Sequence, residues 1–223
     1  MRASGMHSEI KAVIFDLDGT LIDSIGDIAR SMNAALAEDG HPVWSVDEYR
    51  SWVGAGSRHM VSQAVPAGAD LARMYDRYMA AYRERPVVHT RPYPGIPAAL
   101  AGLRERGLPL AVLTNKVHDV ARVVVGEVFA GIRFERVEGV QDPALAKPDP
   151  TTLLAIVAHM GVPAQQCLMV GDTLIDVEAG KRAGARTMGV TWGYRSAEVI
   201  RGGEPDYVVD EPGALYERIA ALC

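Results

Sequence analysis

The sequence predicts an α/β fold: a parallel sheet interrupted once by a helical insert. Three observations predict it. Short apolar runs rich in β-branched residues recur along the chain, helix-like stretches separate most of them, and the region from about Ser24 to Pro92 shows helical patterns only.

The predicted strands are "KAVIFDLDG", "LPLAVLTNK", "RFERVEGVQD", "QCLMVGDT", "ARTMGVTWG" and "DYVVDEP", each closed by a polar or glycine-containing turn. Between them, "GIPAALAGLRERG", "HDVARVVVGEVF", "TTLLAIVAHMG" and "LIDVEAGKRAG" read as crossover helices, with Gly107, Gly161 and Gly184 where C-terminal caps belong. The insert offers "IGDIARSMNAALAEDG", "VDEYRSWVG", "SRHMVSQAV" and "DLARMYDRYMAAYRER" as helices. Within the last of these, Tyr75, Tyr78, Met79 and Tyr82 fall at three- and four-residue spacings and mark one apolar face, read as a helix–helix core. "RPYPGIP" then returns the chain to the sheet, so hinges are expected at 21–24 and 91–95.

Composition narrows the function classes. A chain of 223 residues, 48% hydrophobic and 23% charged, is ordinary for a globular protein. A net charge of -5 without any run of Lys or Arg argues against nucleic acid as a partner. The cysteines Cys167 and Cys223 are too few for a disulfide framework, and no stretch approaches the ~20 apolar residues that span a bilayer. The expectation is a cytoplasmic protein, monomer or homodimer, without membrane contact. Its first nine residues read as a frayed leader, with Met6 as a second candidate start.

In a parallel sheet, ligands bind beyond the carboxyl ends of the strands. The first strand delivers Asp16 and Asp18 to that edge, "LTNK" delivers Thr114, Asn115 and Lys116, and "VGDT" delivers Asp172. Lys147 in "AKPDP" precedes a helix. Each has an ordinary reading taken singly: Asp before Gly makes a turn, Asp-Thr begins a helix, Lys-Pro sits in a loop. All four together, in this order, point to a site. Asp16 and Asp18, two apart on an extended chain, share one side of the opening. With Asp172 nearby, three carboxylates repel unless a cation sits among them, and oxygen-only ligation suits Mg²⁺. Thr114, Asn115, Lys147 and backbone N–H groups around Gly19 suit phosphoryl oxygens.

These four motifs, "DLDGTLIDS", "LTNK", "AKPDP" and "GDTLID", resemble in order those of the haloacid dehalogenase superfamily, over residues 11 to about 212. The helical insert, "WVGAGSRHMV" within it, "TNK" and "VTWGY" look most like its phosphoglycolate phosphatase branch, although Val117 stands where proline is common there. The resemblance implies a Rossmann-like core domain (10–23 plus 92–223) and a helical cap domain (24–91). It implies a phosphoric monoester hydrolase acting on a small phosphorylated metabolite, with Asp16 as the nucleophile that becomes an aspartyl-phosphate and Asp18 as the acid and base. Asp16, Asp172 and the Asp18 carbonyl would hold Mg²⁺, with Asp176 behind them, orienting Lys147 or the metal's waters. Thr114, Asn115 and Gly19 would hold the phosphoryl oxygens and Lys147 would offset their charge. Thr20 and Asp23 read as structural.

Asp18 favours phosphate chemistry over dehalogenation, whose leaving group needs no such acid. A Schiff-base route to phosphonates needs a lysine in the insert, and the four lysines (Lys11, Lys116, Lys147 and Lys181) all lie outside it. A phosphosugar mutase and, in a different class, a non-catalytic phosphate-binding regulatory module are the alternatives. For the substrate, Arg58, after the Gly54-Ala55-Gly56 turn, is the candidate partner of a small carboxylate such as that of 2-phosphoglycolate. Trp192 and Tyr194 are candidates for the pocket wall or for core packing.

Overall fold

The computed structural model describes residues 9–223. The expected leader and the second start at Met6 fall on residues outside that range, apart from Glu9, which is exposed. The six apolar runs form the six strands of one parallel sheet: β1 (Ala12–Phe15), β4 (Leu110–Val117), β5 (Arg136–Val140), β6 (Cys167–Gly171), β7 (Arg186–Val190) and β8 (Tyr207–Val209). Their order is β5-β4-β1-β6-β7-β8, so β1 lies between β4 and β6 where the winding reverses.

Alternation along β1 divides the core between the two faces. Val13 and Phe15 join Leu110, Val112, Leu168 and Val170 on one face. Ala12 and Ile14 join Ala111, Leu113, Cys167 and Met169 on the other. Helices α5 (Ile96–Glu105) and α6 (His118–Val128) cover the first face, and α7 (Thr151–Met160) and α8 (Leu174–Arg182) the second. Gly107, Gly161 and Gly184 all follow helices with positive φ, as C-terminal caps require. Two short helices escape the sequence reading: α9 (Ala197–Gly202) and α10 (Leu215–Ala220), each less than two turns long.

The helical region between Ser24 and Pro92 folds as α1 (Ile25–Glu38), α2 (Val46–Trp52), α3 (Ser57–Ala64) and α4 (Leu71–Glu84). Asp70 caps α4 through the N–H groups of Ala72 and Arg73. On α4, Tyr78, Met79 and Tyr82 are buried against α1, while Tyr75 is only half-buried and carries the Arg58 guanidinium 4.3 Å from its ring centroid. The two ends of the insert pair with each other. β2 (Ile22–Asp23) and β3 (Arg91–Pro92) form an antiparallel ribbon, Ile22 opposite Pro92 and Asp23 opposite Arg91, at the two segments expected to be hinges.

The insert also contacts the sheet side through its own loops. Arg195, in the loop after β7, donates to the carbonyls of Arg50, Ser51 and Val53 at the C-terminal end of α2. Those are carbonyls the last turn of a helix leaves without intrahelical partners, and a cation there also meets the negative end of the helix dipole. Arg50 completes the seam, 3.7 Å from Asp23 and with its guanidinium 5.8 Å from the Tyr194 ring centroid.

Candidate active site

The chain leaves β1 at Asp16, whose N–H still donates to Val170 on β6, so the carboxylate is fixed at the sheet edge. Lys147 reaches it across the edge, with Nζ 2.7 Å from Asp16 Oδ1 and 2.6 Å from Asp176 Oδ1. Asp176 is itself held at the first turn of α8, its Oδ2 accepting from the N–H and hydroxyl of Thr173. Both of its oxygens are therefore engaged by protein donors. Asp16 Oδ2, in contrast, accepts no hydrogen bond from the described residues.

Asp172 follows β6. Its Oδ1 accepts from the Thr20 hydroxyl at 3.1 Å and its Oδ2 from the N–H of Tyr194 at 2.8 Å. Two glycines make room for it. A Cβ on Gly19, which holds φ +86°, or on Gly193 would each come within 2.3 Å of Asp172 Oδ2. Thr20, expected to be structural, thus orients a carboxylate of the site, and Trp192 Nε1 in turn donates to the Thr20 carbonyl. Trp192 and Tyr194 support Asp172 from behind and do not line the cavity.

Asp16, Asp172 and Asp176 place carboxylate oxygens within 4.8 Å of one another, all buried. Against them stands one ammonium, Lys147. Burial raises the Asp16 carboxyl well above its usual range; Lys147 opposes this, and Asp176 and Asp172 add to it. Burial and Asp176 raise Asp172 likewise, against the Tyr194 N–H, the Thr20 hydroxyl and Lys147. For Lys147, burial works against the charged form, but Asp16 and Asp176 outweigh it and the ammonium is held above its ordinary value. A cluster with this excess of buried negative charge fits a divalent cation with oxygen ligands.

Asp18 points elsewhere. Both of its oxygens lie 2.8 Å from Lys116 Nζ, and Oδ1 also accepts from the Ser24 hydroxyl at 2.5 Å. Sequence reasoning brought Lys116 to the edge without giving it a role and left Ser24 aside. The signal available was Lys116's place directly after Thr114-Asn115.

Asn115 was expected on phosphoryl oxygens, but its side chain is committed to the protein. Its Nδ2 donates to the carbonyls of Lys147 and Gly54, and its Oδ1 accepts the Lys147 N–H. It holds the Lys147 loop and ties the insert's glycine turn to the edge. Gly19 also departs from expectation, since its N–H donates to the Ile22 carbonyl. The N–H groups of Leu17 and Asp18, which donate to no protein acceptor among the described residues, remain as donors beside Asp16. The register between β4 and β5 shifts between Leu113 and Val117, and this irregularity sets Thr114, Asn115 and Lys116 on the wall of a cavity of about 40 Å³. Asp16 and Asp18 line the same cavity, as do Ser57, Met60 and Tyr78 from the insert. Arg58 does not. It is exposed and stacked on Tyr75, because the second residue of α3 turns toward α4 while Ser57 faces the cavity.

Comparison with known proteins agrees with this geometry. Residues 10–184 match the family model of haloacid dehalogenase-like hydrolases. A phosphoglycolate phosphatase of Pseudomonas putida is 36% identical over 213 residues, covering 92% of this chain and 78% of that protein. One from Aquifex aeolicus is 33% identical over 92% of this chain and 95% of its own. Among solved structures, a putative phosphoglycolate phosphatase from Lactobacillus delbrueckii subsp. bulgaricus superposes with a TM-score of 0.86 at 27% identity, over 95% of this chain and 98% of that one. No helix among the described residues is long and apolar enough to cross a membrane. The chain, with four motifs meeting at one sheet edge, belongs to the haloacid dehalogenase-like hydrolases and, within them, to the phosphoric monoester hydrolases resembling phosphoglycolate phosphatase.

Proposed function

We propose that the protein is a Mg²⁺-dependent, cytoplasmic phosphomonoester hydrolase that works through an aspartyl-phosphate, on 2-phosphoglycolate or a similar small metabolite. The observation that carries this reading is the buried row Asp176–Lys147–Asp16, in which one oxygen of Asp16, a residue lining the cavity, has no hydrogen-bond donor among the described residues. That oxygen attacks phosphorus. The bond from phosphorus to the ester oxygen breaks, and the departing alkoxide takes its proton from Asp18. Asp18, now a carboxylate, removes a proton from water; the water oxygen attacks phosphorus and inorganic phosphate leaves, restoring Asp16.

Lys147 faces the charge that builds on the phosphoryl oxygens, and Thr114 with the N–H groups of Leu17 and Asp18 orients them. Asp16, Asp172 and the Asp18 carbonyl would hold the Mg²⁺, while Asp176 is spent on Lys147 and Thr173. A cation bound there supplies further positive charge to the phosphoryl group.

The insert acts as a cap (24–91) over the core (10–23 plus 92–223). Ser57, Met60 and Tyr78 of the insert form one wall of the cavity that Asp16 and Asp18 line, so a tilt of the cap would widen the way in for substrate.

Phosphate release from a panel of phosphomonoesters, with and without Mg²⁺, tests the reading beside an Asp16→Asn control. Metal-dependent release led by 2-phosphoglycolate and absent in the control is expected. Release that survives Asp16→Asn would overturn the mechanism.

A further inference from the structure

The acid–base residue of the proposed mechanism is not free to act as it stands. An acid that protonates a leaving group needs an oxygen carrying a proton and aimed at that group. Asp18 has neither to spare: Lys116 Nζ sits 2.8 Å from both oxygens, and the Ser24 hydroxyl occupies Oδ1 as well. The Lys116 side chain is 3% exposed and the Asp18 side chain 11%, so little water competes for the pair. Tyr82 of the insert backs the ammonium, its ring centroid 4.9 Å from Nζ.

Lys116 also faces the substrate cavity, and among the described residues lining that cavity it is the one cation. The α3 N-terminus opens on the same space at Ser57, and Gly56 before it supplies no side-chain cap. A ligand whose phosphoryl group lies at Asp16 therefore has one charged partner for a second anionic group, and that partner is already holding Asp18.

We propose that Lys116 is a positioning residue that releases Asp18 only to a substrate bearing its own carboxylate close to the phosphoester. This rests on the phosphatase reading above and deepens it. The substrate carboxylate takes the place of Asp18 on Lys116, one buried carboxylate–ammonium pair exchanged for another, so Lys116 keeps a partner. The displaced Asp18 carboxylate takes up a proton from solvent water, the proton it then gives the alkoxide. The freed Asp18 turns toward the ester oxygen above Asp16. An uncharged substrate of the same size binds without freeing the acid. Discrimination then appears in kcat more than in KM, as when binding energy from a remote group assembles the catalytic constellation.

The test compares 2-phosphoglycolate with its uncharged carboxamide in the natural protein, Lys116→Met and Lys116→Arg, with p-nitrophenyl phosphate, whose leaving group needs no proton, as a third substrate. The natural protein should turn over the acid at least ~10-fold faster than the amide in kcat, Lys116→Arg should keep most of that ratio, and Lys116→Met should bring it to within about twofold. A ratio expressed in KM alone, or retained in Lys116→Met, would overturn the proposal while leaving the phosphatase reading standing. Hydrolysis of p-nitrophenyl phosphate with no preference between acid and amide would overturn it too. Absence of turnover on all three esters would instead sink the phosphatase reading. If Lys116→Met does not fold, the kcat-against-KM split in the natural protein and in Lys116→Arg still decides.

Discussion

The Thr90 hydroxyl donates to Asp27 Oδ2 at 2.7 Å, and the N–H groups of Val88, His89 and Thr90 converge on the same oxygen at 2.8–2.9 Å. One carboxylate on α1 thus gathers the segment by which the chain leaves the insert.

Burial pushes the Asp27 carboxyl up, but the Thr90 hydroxyl and the three N–H groups outweigh it and hold it below its usual value. A depressed carboxylate contributes stability that is present above the unfolded value of about 4 and is lost as pH falls through the native one. Asp27→Asn should therefore cost about 2 kcal/mol at neutral pH, and the gap to the natural protein should shrink below about pH 4. Denaturant titrations at several pH values check this. A gap independent of pH would assign the cost to shape and not to charge.

Removing Lys147 should strand Asp16 and Asp176 together. Lys147→Met is expected to lower kcat by roughly 10³ and to destabilise the fold by about 3 kcal/mol at neutral pH. Because the Asp16 and Asp172 carboxyls are already raised, ionising them works against the fold above their native values, and acidification relieves that burden. The variant should regain stability relative to the natural protein as pH falls from about 8 toward 5, read by thermal melts.

Divalent metal should act on the same balance from the other side. At a Mg²⁺ concentration about 100 times its Kd, the native state should gain about 2.7 kcal/mol, and the gain should be larger at pH 8 than at pH 6, where protons compete for the carboxylates. Asp172→Asn should abolish the metal-dependent rise in Tm. A rise that survives this substitution would place the cation elsewhere.

Arg195→Ala removes three hydrogen bonds between the loop after β7 and the end of α2. The expected result is faster amide exchange through 50–56 and a several-fold lower kcat/KM, with a smaller loss in global stability, since α1 and α4 of the insert remain packed on each other. Exchange mass spectrometry beside kinetics measures both.

The sheet was legible because a buried parallel strand must be apolar along its whole length, as in "AVIF" and "CLMVG", and each run ends where polar residues reach the site. The pairings inside the site were not. Lys116 meets Asp18 across 98 positions and Thr20 meets Asp172 across 152, and nothing local distinguishes these side chains from solvated ones. Arg58 misled because neighbourhood to a glycine turn says nothing of direction, and one step along α3 separates a cavity residue from a surface one. Asn115 differs: it lines the cavity as expected, but its amide can satisfy the protein or a ligand, and here the Lys147 loop takes it.

The ribbon of β2 and β3 has a mechanical consequence. Both tethers of the insert run side by side, joined at Ile22–Pro92 and Asp23–Arg91, so together they behave as a flat strap two chains wide. Such a strap flexes across its thin direction with small torsional adjustments, but twisting or shearing it breaks both pairs at once. In the proposed tilting of the cap, bending across that strap would part the Gly54 carbonyl from the Asn115 amide and bring the two together again.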